Sequence, residues 1–165
     1  MRTRLIELPL DVPAMLAEVA DPSCGAQAVF IGTVRNCNDP EEGRDVVAIE
    51  YSAYAAMAEK VLSRIAAELE AGAPGLRVAL CHRLGRLAVG EASIAIVAAS
   101  PRRDAALAAV RSALERVKSE APIWKRELYA DGGARWREDE PLAVIGRGGG
   151  GGGGAGGAPD GDGSP

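Results

Sequence analysis

Arg102 and Arg103 follow Ser100-Pro101 at the start of a segment patterned as a helix. Free backbone amides and the positive end of the helix dipole attract an anion at such a start, and two guanidiniums add charge-assisted hydrogen bonds suited to phosphate. The dipole disfavours cations there, so their presence points to anion binding ahead of simple solvation. A second group is KSEAPIWKRE, in which Lys118 and Lys125 bracket an apolar Pro-Ile-Trp turn. A partly desolvated lysine beside another cation loses proton affinity and can act as acid, base or nucleophile, although spacing alone favours ordinary solvated cations. Arg35 is a third candidate, at the end of a buried strand after Gly32 and Thr33, with a loop salt bridge to Asp39, Glu41 or Glu42 as its structural alternative. His82 is the only histidine and has no evident partners for a triad or a metal cluster; with Arg83 it ends a strand. Gly32, Gly85 and Gly90 form neither a GxGxxG nor a P-loop pattern. Cys24, Cys37 and Cys81 are an odd number without CxxC spacing, which suits reduced thiols and no zinc site.

The elements that must position these side chains fit one domain. The chain has 165 residues, 47% apolar and 25% charged, and twelve of its 21 glycines follow Ile145. The folding unit is therefore about residues 1–145, and 146–165 is a Gly-rich flexible tail without a catalytic role. A net charge of −4 argues against nucleic acid as a partner, so any anion site is local. No apolar run approaches the ~20 residues of a membrane span, and the N-terminus is too weakly apolar for a signal peptide, so a soluble cytoplasmic protein is expected.

Residues 2–8 alternate as an edge strand, and Asp11 caps a first helix. GAQAVFIGTV reads as a buried strand ending at a polar loop, and Val46 to Tyr51 as another. Ser52 is expected to cap a second helix with Tyr54, Met57, Val61, Ile65 and Leu69 on one face. Leu76 to His82 and Ala92 to Ala99 are strands joined through Gly85 and Gly90. Ser100 as N-cap and Pro101 at the first helical position open a third helix, whose buried stripe is Leu107, Val110, Leu114 and Val117 and which stops near Lys118 or Ser119. Ile123 to Tyr129 and Ala134 to Arg137 form a closing hairpin. The irregular mixture of strands and helices indicates α+β.

The stretches GAQAVFIGTVRNCN, IEYSAYAAMAEK, CHRLGRLAVGEASIAIVAAS with PRRDA, and KSEAPIWKRE, in this order, resemble the catalytic large subunits of molybdopterin synthase over about residues 24–138. The resemblance implies an α/β hammerhead-like domain with an added antiparallel β-subdomain. It also implies a homodimer at the centre of a heterotetramer, flanked by ubiquitin-like small subunits. The implied reaction is sulfur transfer from the small subunit's C-terminal thiocarboxylate to cyclic pyranopterin monophosphate, forming the dithiolene of molybdopterin, with no metal or cofactor required. The family's substrate-contacting positions fall on Thr33, Val34, Arg35, Arg102, Arg103, Arg126 and Glu127, and its catalytic ones on Lys118 and Lys125. Where that family commonly has His-Arg this chain has Arg102-Arg103, and a guanidinium suits phosphate binding but not proton shuttling.

Arg102 and Lys118 are sixteen positions apart on one helix, which separates their backbones by ~24 Å. If both touch one substrate, the pocket is shared: Arg35, Lys118 and Lys125 come from one chain and Arg102 and Arg103 from its mate. A non-catalytic dimeric module that binds a phosphorylated ligand or a partner's tail is the alternative, and it does not need the lysine pair.

Overall fold

The computed structural model describes residues 2–36 and 44–137. The Gly-rich tail, Cys37 and the loop acids Asp39, Glu41 and Glu42 lie outside them. The elements are β1 (Thr3–Ile6), α1 (Val12–Val19), β2 (Ala26–Thr33), β3 (Val46–Ala53), α2 (Ala55–Gly72), β4 (Arg77–Arg83), β5 (Gly85–Ala88), β6 (Ala92–Ser100), α3 (Arg103–Glu120), β7 (Ile123–Tyr129) and β8 (Ala134–Arg137). They form two four-stranded sheets, ordered β1-β4-β6-β2 and β5-β3-β7-β8. Among the described residues only β1 and β4 pair in parallel. This is the expected α+β architecture, with a second antiparallel sheet added to the first.

The first sheet is covered on both sides, which is why β6 reads ASIAIVAAS without polar alternation. On one face α2 and α3 pack Leu62, Ile65, Ala106, Ala109, Ala113 and Val117 against Val78, Leu80, Ile96 and Ala98. On the other, Met15 and Val19 of α1 cover Ala79, Cys81, Ala95, Val97 and Ala99. Asp11 caps α1 as expected, its Oδ1 accepting from the Ala14 N–H at 2.9 Å. The second sheet has a smaller apolar cluster of Val34, Val46, Ile49, Leu87 and Tyr129.

Several expectations are corrected. Ser52 does not cap α2, because β3 runs on to Ala53 and pairs Ser52 with Trp124; the cap position is Tyr54, whose N–H donates to the Pro122 carbonyl. Ser100 likewise stays in β6, opposite Ala26, so the N-cap of α3 is Arg102 and Pro101 precedes the helix. In both places a continuing ladder holds the residue that local preference assigned to the cap. Leu107, Met57 and Tyr54 are exposed, not buried. On α3 Val110 and Val117 are buried as expected, but Ala106, Ala109 and Ala113 join them in place of Leu107, because methyl side chains let the helix approach the sheet closely. The connection through Gly85 and Gly90 contains β5, and α3 continues to Glu120.

Candidate functional site

A cavity of about 500 Å³ opens where the end of β2, the last turns of α3 and the inner face of the second sheet meet. Thr33 and Arg35 reach it from the end of β2, just past a register shift between Gly32 and Thr33. The strand passes so close to β6 here that a Cβ on Gly32 would lie 2.7 Å from Ile94 Cγ2, so the position is fitted to glycine. Lys118 enters from the last turn of α3, and Lys125 from β7. Alternation along β7 turns Ile123, Lys125, Glu127 and Tyr129 to the inner face, and the register sets Lys125 opposite Tyr51 of β3. Arg35, Lys118 and Lys125 thus converge, and none of the described lining residues is acidic. Such a cavity accepts an anion.

The cavity wall also holds Phe30, Tyr51 and His82, which sequence reasoning missed. The His82 ring meets the Tyr51 ring edge-on, with centroids 5.1 Å apart and planes at 69°. Its Nδ1 lies 2.9 Å from the Arg83 carbonyl, which can only accept, so that nitrogen carries the proton. Alternation could have set Tyr51 on the same face as Ile49, but nothing local says that β3 and β4 bring Tyr51 and His82 together.

The other candidates separate. Glu127 is 1% exposed, on the inner face behind Lys125, and accepts from Tyr129 Oη at 2.8 Å and Arg137 Nε at 3.0 Å. Burial, and then the Glu127 carboxylate, push the Tyr129 phenol above its ordinary pKa. Glu127 therefore anchors the hairpin floor. Arg126 points to the opposite face, where it pairs with Glu50 at 2.5 Å and lies 5.7 Å from the Trp136 ring. Val34 is buried in the second sheet's cluster, and its N–H donates to the Glu91 carbonyl, so its side chain does not line the cavity. Arg102 and Arg103 lie exposed at the far end of α3, outside the cavity, Arg103 making only a 3.8 Å contact with Asp104. An 18-residue helix is about 27 Å long, so within one chain these arginines stand far from Lys118. The Cys81 thiol is pushed up to about 11 by burial, which removes it as a nucleophile. Among the described residues no helix is long and apolar enough to cross a membrane.

Comparison with known proteins gives concordant results. The family model described as MoaE protein matches residues 5–120. A molybdopterin synthase catalytic subunit of Drosophila persimilis is 44% identical over 138 residues, covering 82% of this chain and 37% of the fly protein. The chain thus spans little more than a third of the length of that relative. Molybdopterin synthase catalytic subunit 1 of Mycobacterium tuberculosis is 41% identical over 138 residues, covering 84% of this chain and 91% of the relative. The crystal structure of molybdopterin synthase from Staphylococcus aureus superposes with a TM-score of 0.78 at 32% identity, over 83% of this chain and 97% of that one. A chain of a complex of subunits 1 and 2 of molybdopterin-converting factor from Helicobacter pylori shares the fold at 22% identity, with a TM-score of 0.68.

Proposed function

This chain belongs to the MoaE family, and from that premise we propose that it is the catalytic subunit of a molybdopterin synthase, acting in the cytoplasm on cyclic pyranopterin monophosphate. The observation that carries the reading is the convergence of Arg35, Lys118 and Lys125 on a cavity with no acidic residue among its described lining. The sulfur donor is a ubiquitin-like small subunit whose thiocarboxylated C-terminus enters that cavity, in keeping with the two-subunit complex of the Helicobacter relative. The folding unit is residues 1–145, and the Gly-rich 146–165 adds nothing to the chemistry.

Each transfer forms a carbon–sulfur bond in place of a carbon–oxygen bond of the pterin side chain and breaks the donor's acyl–sulfur bond. The acyl carbon takes an oxygen from water and ends as a carboxylate, while the oxygen displaced from the pterin carbon leaves, so sulfur and oxygen are exchanged between donor and substrate. Lys118 and Lys125 hold the entering terminus; their ammonium groups polarise the acyl carbon and one supplies or removes the proton that moves as sulfur leaves. Arg35 binds the substrate phosphate together with Arg102 and Arg103 of a second copy, because the two ends of α3 are too far apart to meet in one chain. Thr33 contacts substrate at the cavity mouth. Arg126 and Glu127 act as positioning residues, one through Glu50 on the outer face and the other through Tyr129 and Arg137 under Lys125.

The test is dithiolene formation from purified chain, thiocarboxylated small subunit and cyclic pterin. Arg102→Ala and Lys118→Ala variants, each inactive alone, should on mixing and exchange recover about a quarter of wild-type activity, since half the dimers are mixed and each has one intact site of two. No recovery removes the shared site. Full sulfur transfer by Lys118→Ala and Lys125→Ala removes the catalytic assignment and leaves a binding module.

A further inference from the structure

The polar side chains on the described cavity wall are almost all proton donors. Arg35 carries a guanidinium and Lys118 and Lys125 carry ammonium groups, none of which has a lone pair to accept with. Thr33, Ser93 and Tyr51 offer hydroxyls, which share a proton readily but are weak bases, and no carboxylate lies among them. The remaining polar group is the imidazole of His82, the single histidine of the chain. A second copy reaching in with Arg102 and Arg103 adds donors only.

The His82 ring is built into the wall. His82 lies in β4 between Leu5 of β1 and Ile94 of β6, and only 7% of the residue is exposed. Its orientation is set by two contacts already described, the Nδ1 approach to the Arg83 carbonyl and the edge-on packing against Tyr51. Because that carbonyl holds the proton on Nδ1, the lone pair is on Nε2, the ring nitrogen farther from the backbone. An imidazole whose one nitrogen is tied to a fixed acceptor is set in the tautomer that lets the other act as a base.

We propose that His82 is the base of the hydrolytic half of the reaction, taking the proton of the water that attacks the donor's acyl carbon. The proposal rests on the sulfur-transfer reading above and names the residue that accepts the proton. Once sulfur has bonded to the pterin carbon, it still bridges that carbon to the donor's acyl group. The water oxygen then bonds to the acyl carbon, one water proton passes to Nε2, and the acyl–sulfur bond breaks with its electron pair remaining on the pterin sulfur. The second water proton leaves as the new acid ionises, and the imidazolium returns its proton to solvent. Lys118 and Lys125 polarise the acyl group during this step, and as cations they cannot take the place of the base.

The test compares wild type with His82→Asn and His82→Ala in the complete reaction with thiocarboxylated small subunit and cyclic pterin. Asparagine can set its amide N–H where Nδ1–H stands, so the Arg83 contact is kept while the basic nitrogen is lost. The Asn variant should keep its thermal midpoint and its affinity for the small subunit, yet complete transfer at least ~10²-fold more slowly. Small subunit bridged to pterin through sulfur should accumulate and be seen by mass spectrometry of the denatured mixture. Added imidazole should speed the Ala variant about tenfold or more and leave wild type unchanged. A folded Asn variant that transfers at the wild-type rate, or one that is slow without accumulating the bridged species, overturns the assignment, as does a folded Ala variant that imidazole does not rescue. If neither variant folds, diethylpyrocarbonate treatment of the wild-type chain before mixing decides. Inactivation that hydroxylamine reverses upholds the assignment, whereas full activity after treatment overturns it, whether His82 is modified or closed to the reagent. A wild type that moves no sulfur removes the preceding reading itself, a result distinct from an active wild type beside an equally active Asn variant.

Discussion

The sheet β1-β4-β6-β2 meets its helices through alanine, valine, leucine and isoleucine on both faces, whereas the inner face of β5-β3-β7-β8 carries Lys125, Glu127 and Arg137 beside Tyr51 and Tyr129. The first arrangement buries apolar area and needs no directional partners. The second must satisfy every polar atom it encloses, and Glu127 does so with Tyr129 and Arg137. Apolar burial and the enclosed polar groups are thereby divided between neighbouring sheets. A cation that works on an anionic substrate has to stay near water, so it is set at the margin of the smaller core, while α3 spans the larger core and delivers Lys118 from its end.

If that division is right, the largest effect belongs to the cavity lysines. Lys125→Ala should lower sulfur transfer by ~10²–10⁴-fold, the range for loss of a positioned proton-transfer group, with little change in urea midpoint. The reverse should hold in the first sheet: Ile96→Ala, at a fully buried position, should cost about 2–4 kcal/mol in urea unfolding while protein that remains folded keeps its turnover. Glu127→Gln tests the polar floor between them. It keeps an acceptor for Tyr129 but removes the charge facing Arg137, so about 1–3 kcal/mol should be lost, together with a lower turnover.

Smaller effects come from the rim of the fold. Asp21, Glu91, Glu120 and Asp131 are all held below their ordinary values: Asp21 first by Ser23, Glu91 by the Ala88 N–H, Glu120 by Arg116 and Asp131 by the Gly133 N–H. A depressed carboxyl stabilises the fold above its unfolded pKa, and that stabilisation is lost as pH falls through the folded value. Urea midpoints should therefore decline below about pH 4, and Glu91→Gln should flatten the decline. The smallest change is expected for Arg44→Ala: its pair with Asp131 is solvent-exposed, so less than about 1 kcal/mol should be lost.

The sequence disclosed much of this. Apolar alternation, turn residues and the Asp11 cap located most strands and helices, and the charges of Arg35, Lys118 and Lys125 marked the cavity before any fold was known. It misplaced the caps at Ser52 and Ser100 because strand pairing, a non-local interaction, outbid the local hydrogen bond. It assigned Leu107 to the core because helical period fixes the spacing of a stripe but not which residues of neighbouring rows point inward.

What the chain determined by itself is therefore most of the set of elements, the identity of the cations that line the cavity and the distance between the two ends of α3, since all three depend on local period, residue chemistry and helix rise. Tertiary structure alone decided that Tyr51 and His82 wall the same cavity as Lys118 and Lys125, that Arg126 turns away from it, and that β2 is left as an open edge. Those outcomes depend on which strands pair and in what register, and register is a property of two segments at once, invisible from either one.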